Sequence, residues 1–324
     1  MRHPIAFSAG VAVAILVATS AWVWRAGDGR SAGSGAPVAS AAPDDRPVTS
    51  IPGYDFTHAT SSFTLPAELA EVSALTDIDE HTVACVQDEI GAVFFVDLRR
   101  GVVTRKLPFG ADGDYEGLTR VDDALWVLRS DGLLIELAMR GDALAPGRQV
   151  KLDLEHRDIE GLGYDPVDRV VLVAPKSSLK GDKAERAQRQ VFRFDPASGK
   201  RVDGLALDTT TDRIVADAEH ADIALPTKET KRGKERIDLK VRFASIAVHP
   251  ETGRLFALSA ADRAVLAFDR DGTLSAAHFF DEQEMPKPEG ITFLANGDMV
   301  IASEGVETPP RVQVFRYQSG REGR

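Results

Sequence analysis

The sequence predicts an all-β fold, a β-propeller with five blades favoured over six, preceded by an N-terminal transmembrane helix. Three observations predict it. A Glu-Gly-(Leu/Ile) signature recurs along the chain, its copies lie about 44 residues apart or about twice that, and each is followed by short runs rich in Val, Phe, Leu and Ile. Short strands repeated at such a period are typical of propeller blades.

The first 25 residues carry the predicted membrane anchor. From Pro4 to Trp24 there are 21 residues without a charge, which as a helix would extend about 31 Å and cross a hydrocarbon core. The alternative is a cleaved signal peptide with Thr19-Ser20-Ala21 as a poor cleavage site, although the apolar run is long for one. The anchor predicts a single-pass inner-membrane protein with an extracytoplasmic propeller, whereas cleavage would give a secreted or periplasmic protein.

Residues 26–50 are predicted to be a disordered linker. They are rich in Gly, Ala, Ser, Pro and Asp, so they cannot bury enough apolar surface to fold. The propeller is then expected over residues 51–320.

The repeat has three clear copies and two degenerate ones. The clear copies are Glu116-Gly117-Leu118, Glu160-Gly161-Leu162 and Glu289-Gly290-Ile291. Glu71-Val72-Ser73-Ala74-Leu75 aligns as a degenerate copy, and Ser245-Ile246-Ala247 aligns as a copy in which Ser replaces Glu. Each copy predicts the first strand of a blade.

The strands that follow each copy are predicted in the same order in every unit. Turn-forming residues such as Asp165-Pro166 and Asn296-Gly297 end the first strand. The second strands are expected at Thr82–Gln87, Ala124–Arg129, Arg169–Ala174, Arg254–Ser259 and Asp298–Ser303. The third strands are expected at Ala92–Leu98, Leu133–Ala138, Gln190–Asp195, Ala264–Asp269 and Arg311–Tyr317. Weaker fourth strands include Gly147–Leu154 and Leu274–Phe280.

One gap between copies is about twice the others, and it contains either a degenerate sixth blade or insertions. Insertions are favoured, because Lys176–Arg189 reads as a charged loop and Asp208–Arg242 is polar and shows no strand pattern like that of its neighbours. The last unit lacks a fourth strand after Tyr317. Ser61–Leu65 is predicted to supply it and to close the ring without a long open edge.

The repeated Glu predicts an acidic cluster at one mouth of the central channel, because first strands line the channel and begin at the same end. The candidate metal ligands are Glu71, Glu116, Glu160 and Glu289, with Asp88, Asp114, Asp158 and Glu304 as less secure additions. Carboxylates gathered in this way repel one another unless a cation is present, and calcium takes six to eight oxygen ligands. The alternative is that each Glu bonds backbone amides or pairs with Lys176 and Arg129.

Other chemistry is poorly supported by the sequence. The net charge of −11 argues against a nucleic-acid partner. Cys85 is the single cysteine, so neither an intramolecular disulfide nor a Cys-x-x-Cys zinc site can form. The chain has no Gly-x-Ser-x-Gly, Gly-rich phosphate loop or His-Glu-x-x-His motif. No catalytic residue is therefore assigned.

Several blocks of the sequence follow a known pattern, namely Phe63–Pro66, Glu68–Leu75, Ala84–Glu89, Gly113–Gly117, Leu125–Asp131 and Ser245–Pro250. In these blocks the chain resembles the SdiA-regulated bacterial proteins. The resemblance covers about residues 54 to 318. It implies an extracytoplasmic, often membrane-anchored propeller that is distantly similar to NHL-repeat propellers and has a calcium site. It implies no reaction.

The leading functional hypothesis is a non-enzymatic, calcium-binding propeller that acts as a binding or scaffold module for an unknown small-molecule or protein ligand. The alternative is a calcium-dependent hydrolase of esters, lactones or phosphate esters at the channel mouth, a hypothesis that rests on fold-level analogy. A third hypothesis makes calcium purely structural.

Overall fold

The computed structural model describes residues 51–156, 158–177, 181–305 and 307–320, and these form a five-bladed β-propeller. Each blade is a four-stranded antiparallel sheet. The innermost strand of each blade contacts the innermost strand of the next, and that of the fifth blade contacts that of the first. The predicted transmembrane helix and linker lie outside the described residues. Among the residues described, no helix is long and apolar enough to cross a membrane.

The strands follow one another from the inside of each blade to the outside. The first elements of the described chain are β1 (Ser61–Thr64) and a 3-10 turn at Ala67–Leu69. Blade 1 contains β2 (Val72–Asp79), β3 (Thr82–Gln87), β4 (Ala92–Asp97) and β5 (Val102–Pro108). Blade 2 contains β6 (Tyr115–Val121), β7 (Ala124–Arg129), β8 (Leu133–Arg140) and β9 (Ala143–Lys151).

Blade 3 contains β10 (Ile159–Asp165), β11 (Val170–Pro175), β12 (Gln188–Phe194) and β13 (Arg201–Thr210), with helix α1 (Lys183–Ala187) before β12. Helix α2 (Thr211–His220) and the hairpin of β14 (Thr227–Glu229) and β15 (Glu235–Ile237) come next. Blade 4 contains β16 (Phe243–Val248), β17 (Leu255–Ser259), β18 (Ala264–Phe268) and β19 (Leu274–Phe279). Blade 5 contains β20 (Pro288–Phe293), β21 (Met299–Ser303) and β22 (Arg311–Phe315).

The N-terminal strand closes the ring, as predicted. β1 pairs antiparallel with β22, with Ser61 opposite Val314 and Thr64 opposite Arg311. The first described strand is therefore the fourth strand of the last blade. This arrangement covers the edge of β22 that would otherwise be open to pairing with other chains.

The long gap between repeats holds insertions rather than a sixth blade, so the preference for five blades is confirmed. The inserted segments are more ordered than predicted. An Asp182 capping box begins α1, and the Thr210 side chain caps α2. Ile214 and Ala218, four residues apart on α2, are fully buried in the apolar cluster between blades 3 and 4. The sequence did not predict α2 because its two buried apolar residues lie within an otherwise polar segment. The same polar segment also forms the exposed hairpin of β14 and β15.

The predicted second and third strands agree with the structure to within about two residues at each end. The main difference is β9, which begins at Ala143 rather than Gly147. Pro146 and Gly147 lie within this strand. Both residue types usually mark a strand end, but here they lie on the outermost strand of blade 2, where one edge is unpaired.

The Gly-(Leu/Ile) part of the signature packs neighbouring blades together. Leu118, Leu162 and Ile291 are buried, and each joins the apolar cluster shared with the preceding blade. A Cβ atom added to Gly117 would lie 2.6 Å from Leu162 Cβ and 2.9 Å from the Glu160 carbonyl oxygen. Glycine is therefore required where innermost strands approach one another.

Residues 51–56 fill the space between blades 4 and 5 at the end of the propeller where the innermost strands finish. Ile51, Tyr54 and Phe56 are buried in the cluster shared by these blades. The Tyr54 hydroxyl donates a hydrogen bond to the carbonyl oxygen of Gly297 at 2.6 Å. The described chain thus enters the propeller at the end opposite to the start of the innermost strands.

Candidate functional site

A β-bulge occurs at the same level in the innermost strand of every blade. In blades 2, 3 and 5 the repeated Glu is the extra residue of the strand. In blade 2, Tyr115 pairs with Arg129 but Gly117 pairs with the next residue back, Leu128. Glu116 therefore has no partner in the ladder, and the same irregularity surrounds Glu160 and Glu289. A bulge redirects a side chain away from regular alternation.

The bulges correct the alignment of the two degenerate copies. In blade 1 the extra residue is Ser73, because the shift falls between Val72 and Ala74. In blade 4 it is Ala244, one residue before Ser245. Glu71 thus lies two residues ahead of the position that Glu116 occupies in blade 2, and it is exposed. Sequence similarity alone could not locate these shifts, because a bulge is a property of the pairing between two strands.

The three bulge glutamates interact with one another across the channel. Glu160 and Glu289 are buried, with 5% and 4% of their surface exposed, and Glu116 is half-buried. Their carboxyls influence one another electrostatically although they belong to blades 2, 3 and 5. We call this end of the channel, where the innermost strands begin, the acidic mouth.

Burial disfavours ionisation of these carboxyls. Burial, reinforced by Asp114, raises the pKa of Glu116 to about 8. Burial likewise raises the pKa of Glu160 to about 9, with the neighbouring Lys176 opposing the shift and Glu116 adding to it. The pKa of Glu289 is also raised by burial, against the influence of Lys176 and Lys287. Without a further cation, two of the three groups keep their protons at neutral pH.

Two lysines pair with the glutamates. Lys176 Nζ lies 2.7 Å from Glu160 Oε2 and 3.9 Å from Glu289 Oε1. Lys287 Nζ lies 3.3 Å from Glu289 Oε1 and 2.6 Å from Glu304 Oε2. The alternative of a salt bridge to Lys176 is therefore correct for Glu160. Arg129 instead pairs with Asp131, with Nη2 and Oδ2 at 2.7 Å.

All eight candidate ligands lie at three equivalent positions around the acidic mouth. The position two residues before the bulge holds Glu71, Asp114, Asp158, Arg242 and Lys287 in blades 1 to 5. The position after the second strand holds Asp88, Ser130, Lys176, Ala260 and Glu304. In blades 1, 2, 3 and 5 a backbone hydrogen bond joins the two positions, as from the amide of Asp88 to the carbonyl of Glu71. Together with the three bulge glutamates, these positions hold eight carboxyl groups and three basic side chains.

The less secure candidates divide into separate groups. Asp114 hydrogen-bonds Glu116 and also accepts a hydrogen bond from the hydroxyl of Ser130. Asp88 lies near Glu71 and Glu304, and burial followed by these charges raises its pKa to about 6. Asp158 is half-buried and its carbonyl accepts the amide of Lys176.

The donor atoms of the acidic mouth fit calcium in type. They are carboxylate oxygens, the ligands that calcium prefers, without His or Cys. Glu289 Oε1 is buried, and it lies 3.3 Å from Lys287 Nζ and 3.9 Å from Lys176 Nζ. The arrangement is not a finished metal site, however, since the described part of the chain holds no group of three or more His, Cys, Asp or Glu placed to bind an ion. The Lys176 ammonium lies against Glu160, at the place where a bound metal cation would neutralise the Glu160 carboxylate.

The channel opens into a cavity of about 380 Å³ at its other end. Thr76, Thr119 and Thr292 line it from equivalent positions of three blades, and an ion pair between Arg120 and Asp77 lies at its wall. None of the eight candidate ligands is among its lining residues. This cavity could not be predicted from the sequence, because its lining residues match no binding motif.

Comparison with known proteins identifies a family and a fold. A family model described as SdiA-regulated matches residues 54–309. No curated protein matches the chain in sequence.

Two solved structures illustrate the likeness in fold. Glutaminyl cyclase of Myxococcus xanthus is 14% identical, with 80% of this chain and 95% of that chain covered and a TM-score of 0.52. The PQQ-bound form of aldose sugar dehydrogenase from Streptomyces coelicolor is 12% identical, with 81% and 98% covered and a TM-score of 0.50. At these identities the likeness shows the propeller fold alone.

Proposed function

The chain belongs to the SdiA-regulated family, and from this premise we propose that it is a membrane-anchored, extracytoplasmic propeller that binds calcium at the acidic mouth and acts as a binding or scaffold module. The observation that carries the proposal is the convergence of Glu116, Glu160 and Glu289 from three blades. A divalent cation there would neutralise charge that the surrounding lysines leave uncompensated.

The electrostatic balance of the mouth supports a cation as the ligand. Its eight carboxyls exceed its three basic groups, and burial of Glu160 and Glu289 makes each unneutralised charge costly. Calcium would be held by the three bulge glutamates, of which Glu160 and Glu289 are buried. A bound calcium ion would supply a site for an anionic or carbonyl group of the ligand.

Calcium binding to the full-length protein tests this proposal. We expect calcium to raise the melting temperature and a chelator to lower it, because a ligand that binds only the folded state stabilises it. Glu160→Gln should abolish most of the shift. Glu136→Gln is the matched control, since Glu136 pairs with Arg148 in the outer part of blade 2. If calcium leaves the midpoint of the wild type unchanged and calorimetry shows no binding heat, the proposal is wrong.

A second candidate function is a hydrolase of esters, lactones or phosphate esters. The observation that favours it is the raised pKa of Glu116 and Glu160, because a carboxyl that keeps its proton near neutral pH can act as a general acid. Turnover of such substrates by the wild type, lost in Glu160→Gln but kept in Glu136→Gln, would favour this function over a binding module.

The membrane proposal has its own test. Wild-type protein should sediment with membranes, and its propeller should be digested by protease added from the extracytoplasmic side. A fully soluble protein with an intact N-terminus would contradict anchoring, and a soluble protein lacking the N-terminal segment would support cleavage.

A further inference from the structure

One position at the acidic mouth differs in kind from its counterparts. The residue after the second strand is Asp88, Ser130, Lys176, Ala260 or Glu304 in blades 1 to 5. Lys176 is the only basic residue in this set. It follows β11 directly, and its amide donates to the Asp158 carbonyl at 2.9 Å, which fixes the start of the side chain at the mouth.

The Lys176 side chain extends from this fixed backbone into the group of bulge glutamates. Its ammonium lies 2.7 Å from Glu160 Oε2 and 3.9 Å from Glu289 Oε1, and it also interacts with Glu116. Its side chain is 23% exposed, whereas the Glu160 and Glu289 side chains are each 6% exposed. The ammonium thus contacts two buried carboxyl groups while its own side chain stays partly exposed, and it interacts with all three glutamates.

From this geometry we infer that Lys176 is an intramolecular competitor for the cation site of the acidic mouth. Its ammonium occupies the contact positions beside the Glu160 and Glu289 carboxyls in the cation-free protein, and it leaves when a divalent cation binds the same oxygen atoms. Lys176 therefore sets the calcium concentration at which the mouth fills. The inference rests on the proposed calcium site.

The physical basis is competition for the same oxygen atoms. A carboxylate oxygen in contact with an ammonium at 2.7 Å cannot bind a calcium ion at 2.3–2.6 Å from the same side without displacing it. A positive charge left within about 4 Å of the cation would also repel it strongly at a partly buried site. Lysine suits this role because its flexible four-carbon stem allows the ammonium to move into solvent.

The test compares Lys176→Met with Lys176→Arg in the full-length protein, and calcium alone is the probe. Methionine keeps most of the volume but removes the charge, so the calcium dissociation constant measured by calorimetry should fall at least tenfold. In chelator, Lys176→Met should melt below the wild type, because Glu160 loses its partner. Lys176→Arg keeps a cation at the mouth and should behave nearly like the wild type.

Lys106→Met is the matched control, because Lys106 pairs with Glu68 on the outside of blade 1. It should leave calcium affinity unchanged. A dissociation constant for Lys176→Met that equals or exceeds that of the wild type would overturn the inference, provided that circular dichroism shows a folded variant.

The outcomes separate this inference from the proposed function. If the wild type fails to bind calcium but Lys176→Met binds it, the proposed function fails while the competition by Lys176 is supported. If neither protein binds calcium, both are overturned.

Discussion

Replacing Glu160 by Gln should make the calcium-free protein less sensitive to alkaline pH. Burial raises the folded-state pKa of Glu160 from its ordinary 4.5 to about 9. Because the folded-state pKa lies above the unfolded one, the stabilising contribution of this carboxyl is complete below pH 4.5 and is lost as the pH rises through about 9. Glu116 behaves in the same way with a pKa of about 8.

The window from pH 7 to pH 8.5 covers much of the titration of these two groups. Linkage with the two pKa values gives a loss of about 2 kcal/mol from Glu160 and about 1 kcal/mol from Glu116 across this window. The wild type in chelator should therefore lose about 3 kcal/mol in its free energy of unfolding. Burial lowers the pKa of His249 to about 4, so its contribution is lost only as the pH falls below its ordinary 6.5 and does not change here.

Urea unfolding in chelator at pH 7.0, 7.7 and 8.5 would measure these changes. Glu160→Gln should lose about 1 kcal/mol or less, because Gln does not titrate and its neutral side chain also eases ionisation of Glu116. Glu136→Gln should retain the wild-type slope. A wild-type stability that stays flat or rises over this window, or a Glu160→Gln slope equal to the wild-type slope, would refute the reasoning.

Three further predictions follow from the same structure. Calcium binding at pH 7 should release about two protons, because Glu116 and Glu160 are largely protonated beforehand. Calorimetry in two buffers of different ionisation enthalpy measures the number of protons released per calcium ion, and a number near zero would contradict the prediction. Gly117→Ala should destabilise the propeller by about 1–3 kcal/mol because its Cβ would lie 2.6 Å from Leu162 Cβ, whereas Gly147→Ala, with no neighbour closer than 3.5 Å, should change the urea midpoint little. Tyr54→Phe removes the 2.6 Å hydrogen bond to Gly297 and should cost about 1 kcal/mol in thermal unfolding; an unchanged melting temperature would show that water replaces it.

The sequence predicted the architecture well because the blade is encoded locally. Each strand is a short apolar run, and the Gly-Leu pair that packs one innermost strand on the next recurs in the chain. The closure by β1 was also predictable, because blade 5 lacked a fourth strand and the run at Ser61 had no other partner. These inferences needed only composition, period and counting.

The site was predicted less completely because its geometry depends on pairing between strands. The gathering of Glu116, Glu160 and Glu289 followed from the repeat, but the bulges at which they lie did not, and this is why Glu71 was aligned two residues away from its true position. The pairing of Glu160 with Lys176 was one of the alternatives named from the sequence, but the role of Lys287 was hard to foresee. Lysine in a polar segment is usually solvated, and only the three-dimensional placement shows Lys287 against the buried Glu289.

The pairing of β1 with β22 also has a consequence in time. Ser61 and Val314 are adjacent in the closed ring, yet roughly 250 residues separate them in the chain, which at the usual rates of synthesis takes on the order of 10–50 s. β1 is the first of the described strands to be synthesised, and it cannot pair with β22 until Arg311–Phe315 has been made. Its four-residue length limits what a neighbouring nascent chain could capture during that interval.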